Sequence, residues 1–157
     1  MMGSTLTHRV QMQRSTLLAF LTAAAVSGAC ARPNALEVEW LPPPRPTAPF
    51  AEAVRVGDLL YLSGQIGSDS AGRLVPGGLQ AEARQALNNI RSVLEKHGSG
   101  LDRVVKCTVF LADIRDYNDF NEIYLSYFRV RRPARSAMAA SGLALNARVE
   151  IECIGVT

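Results

Sequence analysis

The spacing of apolar residues along this chain changes several times, and each change predicts an element. Ala53-Val54-Arg55-Val56 and Leu59-Leu60-Tyr61-Leu62 flank Gly57-Asp58, which reads as a β-hairpin. Ser63-Gly64-Gln65-Ile66 ends the second strand, and residues 67–78 form a turn-rich loop. From Leu79 the period lengthens. Leu79, Ala83, Ala86, Leu87, Ile90, Val93 and Leu94 recur at three and four residues, one face of a helix running to His97, with Gly98 placed to stop it. Val104 to Leu111 is a β-branched strand. A second helix is expected from about Tyr117 to Phe128, its apolar stripe made by Phe120, Ile123, Tyr124, Tyr127 and Phe128, and Pro133 bars its continuation. Two strands follow, near Arg135–Ala140 and Ala147–Val156; in the last, Val149, Ile151 and Cys153 alternate with Arg148, Glu150 and Glu152. The order β-β-α-β-α-β-β predicts one α/β domain, a mixed sheet with two helices of about 12 and 19 residues on one face. The other face is left to be buried, which a domain of about 110 residues usually achieves by self-association.

The amino-terminal third follows different rules. Arg9 and Arg14 form a positive n-region, and Leu17 to Val26 is an apolar run of ten. That is too short for a bilayer, which needs about 20 residues, but it suits the core of an export signal over residues 1–31. Small residues follow and leave two processing readings open. Ala29-Cys30-Ala31 is an A-x-A cleavage site, and small residues running into Cys30 equally resemble a lipobox, in which Cys30 would carry lipid. The product is expected outside the cytoplasm, periplasmic and either soluble or lipid-anchored. Residues 32–49 read as a linker, because Pro33, Pro42-Pro43-Pro44, Pro46 and Pro49 favour extended chain. The domain itself is expected over residues 50–157.

Composition narrows the function. The formal charge is +3, but the first 29 residues hold two arginines and no acid; without them 15 basic residues face 14 acidic ones. A nearly neutral domain, with basic residues grouped only at Arg129-Val130-Arg131-Arg132, argues against nucleic acid as a partner. Cys107 and Cys153 lie among aliphatics in strand-like runs and are expected as buried free thiols, although an exported domain could pair them. His97 is the one histidine beyond the leader, so neither a multi-His metal site nor a Ser-His-Asp mechanism is available, and no phosphate-binding glycine motif occurs. Chemistry is left to arginine, carboxylates, backbone amides and water. Arg135, opening a strand after Pro133-Ala134, offers a planar fork of donors for a carboxylate. Glu150 and Glu152 share one strand face. On spacing alone, a solvated surface arginine at position 135 and a polar, solvent-facing edge at Glu150 and Glu152 are the plainer readings.

Several segments in order resemble one family. Pro133-Ala134-Arg135-Ser136 followed by Val149-Glu150-Ile151-Glu152 resembles the RidA (YjgF/YER057c/UK114) signature P-A-R-S…[VI]-E-I-E. Ala53-Val54 with Leu62 to Ile66, Gly77-Gly78-Leu79 with Gln85, Val104 to Leu111, and Phe120 to Tyr124 agree as well, so that the likeness spans about Pro49 to Val156. The resemblance implies a chorismate-mutase-like fold, a homotrimer with clefts between subunits, and hydrolysis of reactive 2-imino acids to 2-keto acids and ammonia without metal or organic cofactor. It implies that Arg135 grips the substrate carboxylate and Glu150 positions the attacking water. Gly64 would offer a backbone contact, and Asn121 would lie near the cleft. Three departures stand out. Phe50 occupies the position of a tyrosine, Ala137 that of a Cys or Thr that acts through its backbone, and Leu143-Ala144-Leu145-Asn146-Ala147 replaces an L-P-K-G-A turn. A second expectation is a trimeric envelope protein that holds a small carboxylate without turnover; a third is an interaction protein needing neither Arg135 nor Glu150.

Overall fold

The computed structural model describes residues 36–157; the leader, with Cys30, lies outside the described residues. Seven strands and two helices follow in the order β1 (Val38–Trp40), β2 (Ala53–Val56), β3 (Leu59–Leu62), β4 (Gln65–Ile66), α1 (Gly78–Lys96), β5 (Val104–Leu111), α2 (Tyr117–Tyr127), β6 (Ala134–Ala139) and β7 (Val149–Val156). They build one sheet in the order β1-β2-β3-β7-β5-β6, with β4 also paired to β7. Only β5 and β6 run parallel, as the crossover through α2 requires. The fold is therefore the expected mixed sheet, with one strand more at its start and a short one split off at Gln65–Ile66.

Alternation decides the core. Cys107, Val109 and Leu111 of β5 and Val149, Ile151 and Cys153 of β7 point to the helices and are fully or almost fully buried. They pack against Ala83, Leu87, Ile90 and Leu94 of α1 and Phe120, Ile123 and Tyr124 of α2. Each helix thus contributes the stripe its three-and-four spacing predicts, and Gly98 (φ +80) ends α1 in the left-handed conformation that favours glycine. The opposite face of the sheet carries Tyr61, Lys106, Thr108, Ser136, Met138, Glu150, Glu152 and Ile154; Tyr61 and Met138 remain 42% and 45% exposed.

Two expectations are corrected. The stretch expected as a linker is not wholly one: Val38, Glu39 and Trp40 pair antiparallel with Val56, Arg55 and Val54, and Leu41 is buried. No proline falls between Pro33 and Pro42, so nothing prevents Val38, Glu39 and Trp40 from joining the free edge of β2. Cys107 and Cys153 are not free thiols but a disulfide. They are register partners on β5 and β7, both facing the helices, with Cα atoms 4.1 Å apart. Alternation alone shows that both point inward; it does not show that they face each other.

Candidate active site

Arg135 sits on the helix face of β6, where its partner across the ladder is Cys107. Its side chain lies under α2. Nη2 donates to Asn121 Oδ1 at 2.7 Å and to the Tyr117 hydroxyl at 3.2 Å. The guanidinium carbon lies 4.7 Å from the Tyr124 ring centroid and 5.5 Å from that of Tyr117. Nε and Nη1 have no hydrogen-bonded partner among the described residues. An arginine held by one nitrogen and stacked on an aromatic ring has lost much of its rotamer freedom before any ligand arrives. Burial pushes the Tyr124 phenol up to about 12, against the opposing pull of Arg135, so the ring stays neutral beneath the cation. Ala137, two residues on, faces the same way, packs against the core and pairs with Val109.

Glu150 lies elsewhere. It alternates with the buried Val149 and Ile151, so it faces away from the helices, opposite Phe110 on β5 and Ile66 on β4. A register shift prepares its surroundings. Tyr61 pairs with Ile154 but Gln65 pairs with Ile151, so the β3–β4 side carries one residue more than β7 across the same stretch. Such a bulge bends the strand and re-aims side chains. It brings Gly64 against the Glu150 carboxylate so closely that a Cβ at position 64 would overlap Oε1. Burial raises the Glu150 carboxyl above its ordinary value, and repulsion from Glu152 adds to the rise.

Glu150 and Gly64 line a cleft of about 910 Å³ together with Phe50, Gln65, Glu52, Asp69, Arg45 and Leu145. Two of its carboxylates are already engaged. Glu52 accepts from Lys96 Nζ at 2.7 Å, with His97 Nε2 at 2.8 Å, and Asp69 pairs with Arg73. Although burial works to raise the Glu52 carboxyl, these two partners outweigh it and hold it lowered. The turn that departs from L-P-K-G-A keeps a left-handed backbone, at Leu145 (φ 57) and Asn146 (φ 61). Asparagine tolerates this conformation, whereas a leucine there is strained, and Leu145 stands 61% exposed at the cleft.

Of the six residues singled out in the sequence, the cleft of one chain unites Phe50, Gly64 and Glu150. Arg135 and Asn121 meet each other and share the helix face with Ala137, and these three do not line that cleft. Tyr117 and Tyr124 were not anticipated as partners of Arg135. With Asn121 they fall at i, i+4 and i+7 on α2, a spacing that was there to be read. Among the described residues no group of three or more His, Cys, Asp or Glu could hold a metal ion.

A family model described as Endoribonuclease L-PSP matches residues 42–157. A Mus musculus protein named 2-iminobutanoate/2-iminopropanoate deaminase is 46% identical over 114 residues, covering 72% of this chain and 84% of that one. A Homo sapiens protein of the same name is also 46% identical over 114 residues, covering 72% and 83%. The crystal structure of RidA from the Antarctic bacterium Psychrobacter superposes with a TM-score of 0.69 at 32% identity, covering 78% of this chain and 98% of that one.

Proposed function

Since this chain belongs to the RidA (YjgF/YER057c/UK114) family, we propose that it is an imine deaminase that hydrolyses 2-imino acids to 2-keto acids and ammonia. The observation that carries this reading is the pair of prepared groups on one small domain. One is a guanidinium with donors to spare; the other is a carboxyl whose proton affinity has been raised by burial. Arg135 binds the substrate carboxylate through Nε and Nη1 while Asn121 and Tyr117 hold the other nitrogen. Glu150 takes a proton from water as the water oxygen bonds to C2 of the protonated imine. The carbinolamine then collapses: Glu150 returns its proton to the nitrogen, the C–N bond breaks as the hydroxyl oxygen forms the carbonyl, the hydroxyl proton passes to the departing ammonia, and ammonium and the keto acid leave. A carboxyl titrating closer to neutrality is a stronger base for this step than an ordinary one. Fixing an already electrophilic carbon beside one water supplies most of what the reaction needs.

The two groups act together only across a boundary between copies. They lie on opposite faces of one sheet, so an Arg135 from one copy serves the cleft that holds Glu150, Gly64 and Phe50 of the next. A homotrimer, with the exposed Tyr61 and Met138 face turned inward, is the assembly we propose. Export fits the Cys107–Cys153 disulfide, since such bonds persist in oxidising compartments outside the cytoplasm; membrane attachment would come only through lipid on Cys30.

RNA cleavage, which the description of the matched family suggests, finds little support here. Among the described residues Arg45 is the one cationic side chain that lines the cleft, too little positive charge to follow a phosphate backbone. Phe50 favours a second reading, binding of a small carboxylate without turnover, because the ring offers no hydroxyl to the cleft. A coupled assay separates the two: an amino-acid oxidase generates the imine and semicarbazide traps what remains. Faster loss of trapped imine with added protein supports hydrolysis; unchanged trapping with retained keto-acid binding supports the binder.

A further inference from the structure

Arg45 lines the Glu150 cleft and does none of the work assigned above. Its guanidinium has no hydrogen bond or ion pair among the described residues, while Glu52 and Asp69, the charged side chains that line the cleft besides Glu150, are both paired. Its position is nonetheless built. Leu41 is buried and its N–H donates to Ala53 O, the Glu52 N–H donates to Pro42 O, and the Ala48 N–H closes a turn on Arg45 O. Prolines 42 to 44, 46 and 49 stiffen the span between. The guanidinium then lies against the backbone of Gly72, where a Cβ would overlap it. Gly72 has φ +78 and is closed into its own turn by Asp69 O. An exposed arginine that lies along glycine backbone at the cleft, with no carboxylate paired to it among the described residues, is placed to meet an anion.

In one chain the cleft, about 910 Å³, is lined at once by Glu150 and by Arg45, so a substrate held at Glu150 has a path along which its side chain can extend. We propose that Arg45 recognises a second carboxylate, at the far end of the substrate side chain, and that this protein prefers imines of dicarboxylic amino acids to aliphatic ones. The inference rests on the deaminase reading: Arg135 takes the α-carboxylate, Glu150 faces C2, and the side chain extends along the cleft towards Arg45.

The test uses two imines, made by oxidases from L-glutamate and from L-leucine, with semicarbazide trapping, on the wild-type protein, Arg45→Ala and Arg45→Glu. The readout is the ratio of kcat/KM for the dicarboxylic imine to that for the aliphatic one. One lost charge-assisted contact should lower this ratio about tenfold in Arg45→Ala, mainly through KM, and further in Arg45→Glu. A ratio that is the same in all three proteins overturns the assignment of Arg45. So does a wild-type protein that hydrolyses the leucine-derived imine but leaves the glutamate-derived one untouched, and in both cases the deaminase reading stands. Failure on both imines refutes that reading, and this inference with it.

Discussion

Replacing Arg135 by alanine removes the guanidinium that Tyr117, Asn121 and Tyr124 of α2 hold, and the structure indicates how the loss divides. Two of its five N–H groups serve Asn121 and Tyr117, and three remain for a ligand. Truncating one partner of a buried, hydrogen-bonded charge pair costs about 2–5 kcal/mol. With tenfold per 1.4 kcal/mol, Arg135→Ala should lower kcat/KM, or keto-acid affinity, by about 30-fold or more. The cation–π contact with Tyr124 adds about 0.5–1 kcal/mol to folding, so the variant should remain folded with a slightly lower Tm. Arg135→Lys keeps the charge but cannot reach Asn121 and a carboxylate in one plane, so it should recover little. Arg131 and Arg132 are exposed and form no ion pair among the described residues; alanine at either should change almost nothing. The assay is imine hydrolysis with semicarbazide trapping, alongside calorimetric titration with the keto acid. Normal turnover by Arg135→Ala, or equal losses in the Arg131 and Arg132 controls, would refute the assignment.

Glu150→Gln should lower kcat with little change in KM, because it removes the base and not the carboxylate contact. With its carboxyl raised by burial and by Glu152, Glu150 is protonated at a pH where ordinary glutamates are already charged. Turnover should therefore fall on acidification through a point above the ordinary glutamate value, and Glu152→Gln should move that acid limb downward. A raised folded value also means that Glu150 opposes folding once ionised, so Glu150→Gln should not reduce Tm at neutral pH. The Cys107–Cys153 disulfide closes a sequence separation of 46 and on chain-entropy grounds is worth on the order of 4 kcal/mol; thermal melts should show a clear drop in Tm under reductant, and an unchanged Tm would count against it. Protein from its native host should give an intact mass starting at lipidated Cys30 or at Arg32, and recovery of unprocessed Met1 from the cytoplasm would end the export reading.

Elements with a sustained period were legible before the structure. The two helices carry seven and five apolar positions at three-and-four spacing, and the strands at Val104–Leu111 and Val149–Val156 each alternate three buried apolar residues with polar or exposed ones, enough to override local noise. Val38-Glu39-Trp40 was missed because three residues beside a proline run show no period, and their partner is a strand edge 14 or more residues away. The disulfide and the separation of Arg135 from Glu150 depend on strand register and on which face each residue takes, and both are properties of pairing rather than of a single strand. The bulge that seats Gly64 beneath Glu150 is likewise a count of residues on two strands at once. Arg45 lay in a stretch whose prolines suggested only an extended spacer.

Co-assembly of two inactive variants tests the central claim most directly, because it asks for the chemistry and the shared site together. Arg135→Ala and Glu150→Gln chains, differently tagged and produced in one cell, should form mixed trimers, verified by sequential capture and light scattering at about three times the monomer mass. If each site takes Arg135 from one copy and Glu150 from its neighbour, every trimer captured through both tags keeps one intact site of its three, and imine hydrolysis should return to roughly a third of the wild-type rate. Mixed trimers no more active than either variant alone would contradict a site built from these two residues across a subunit boundary.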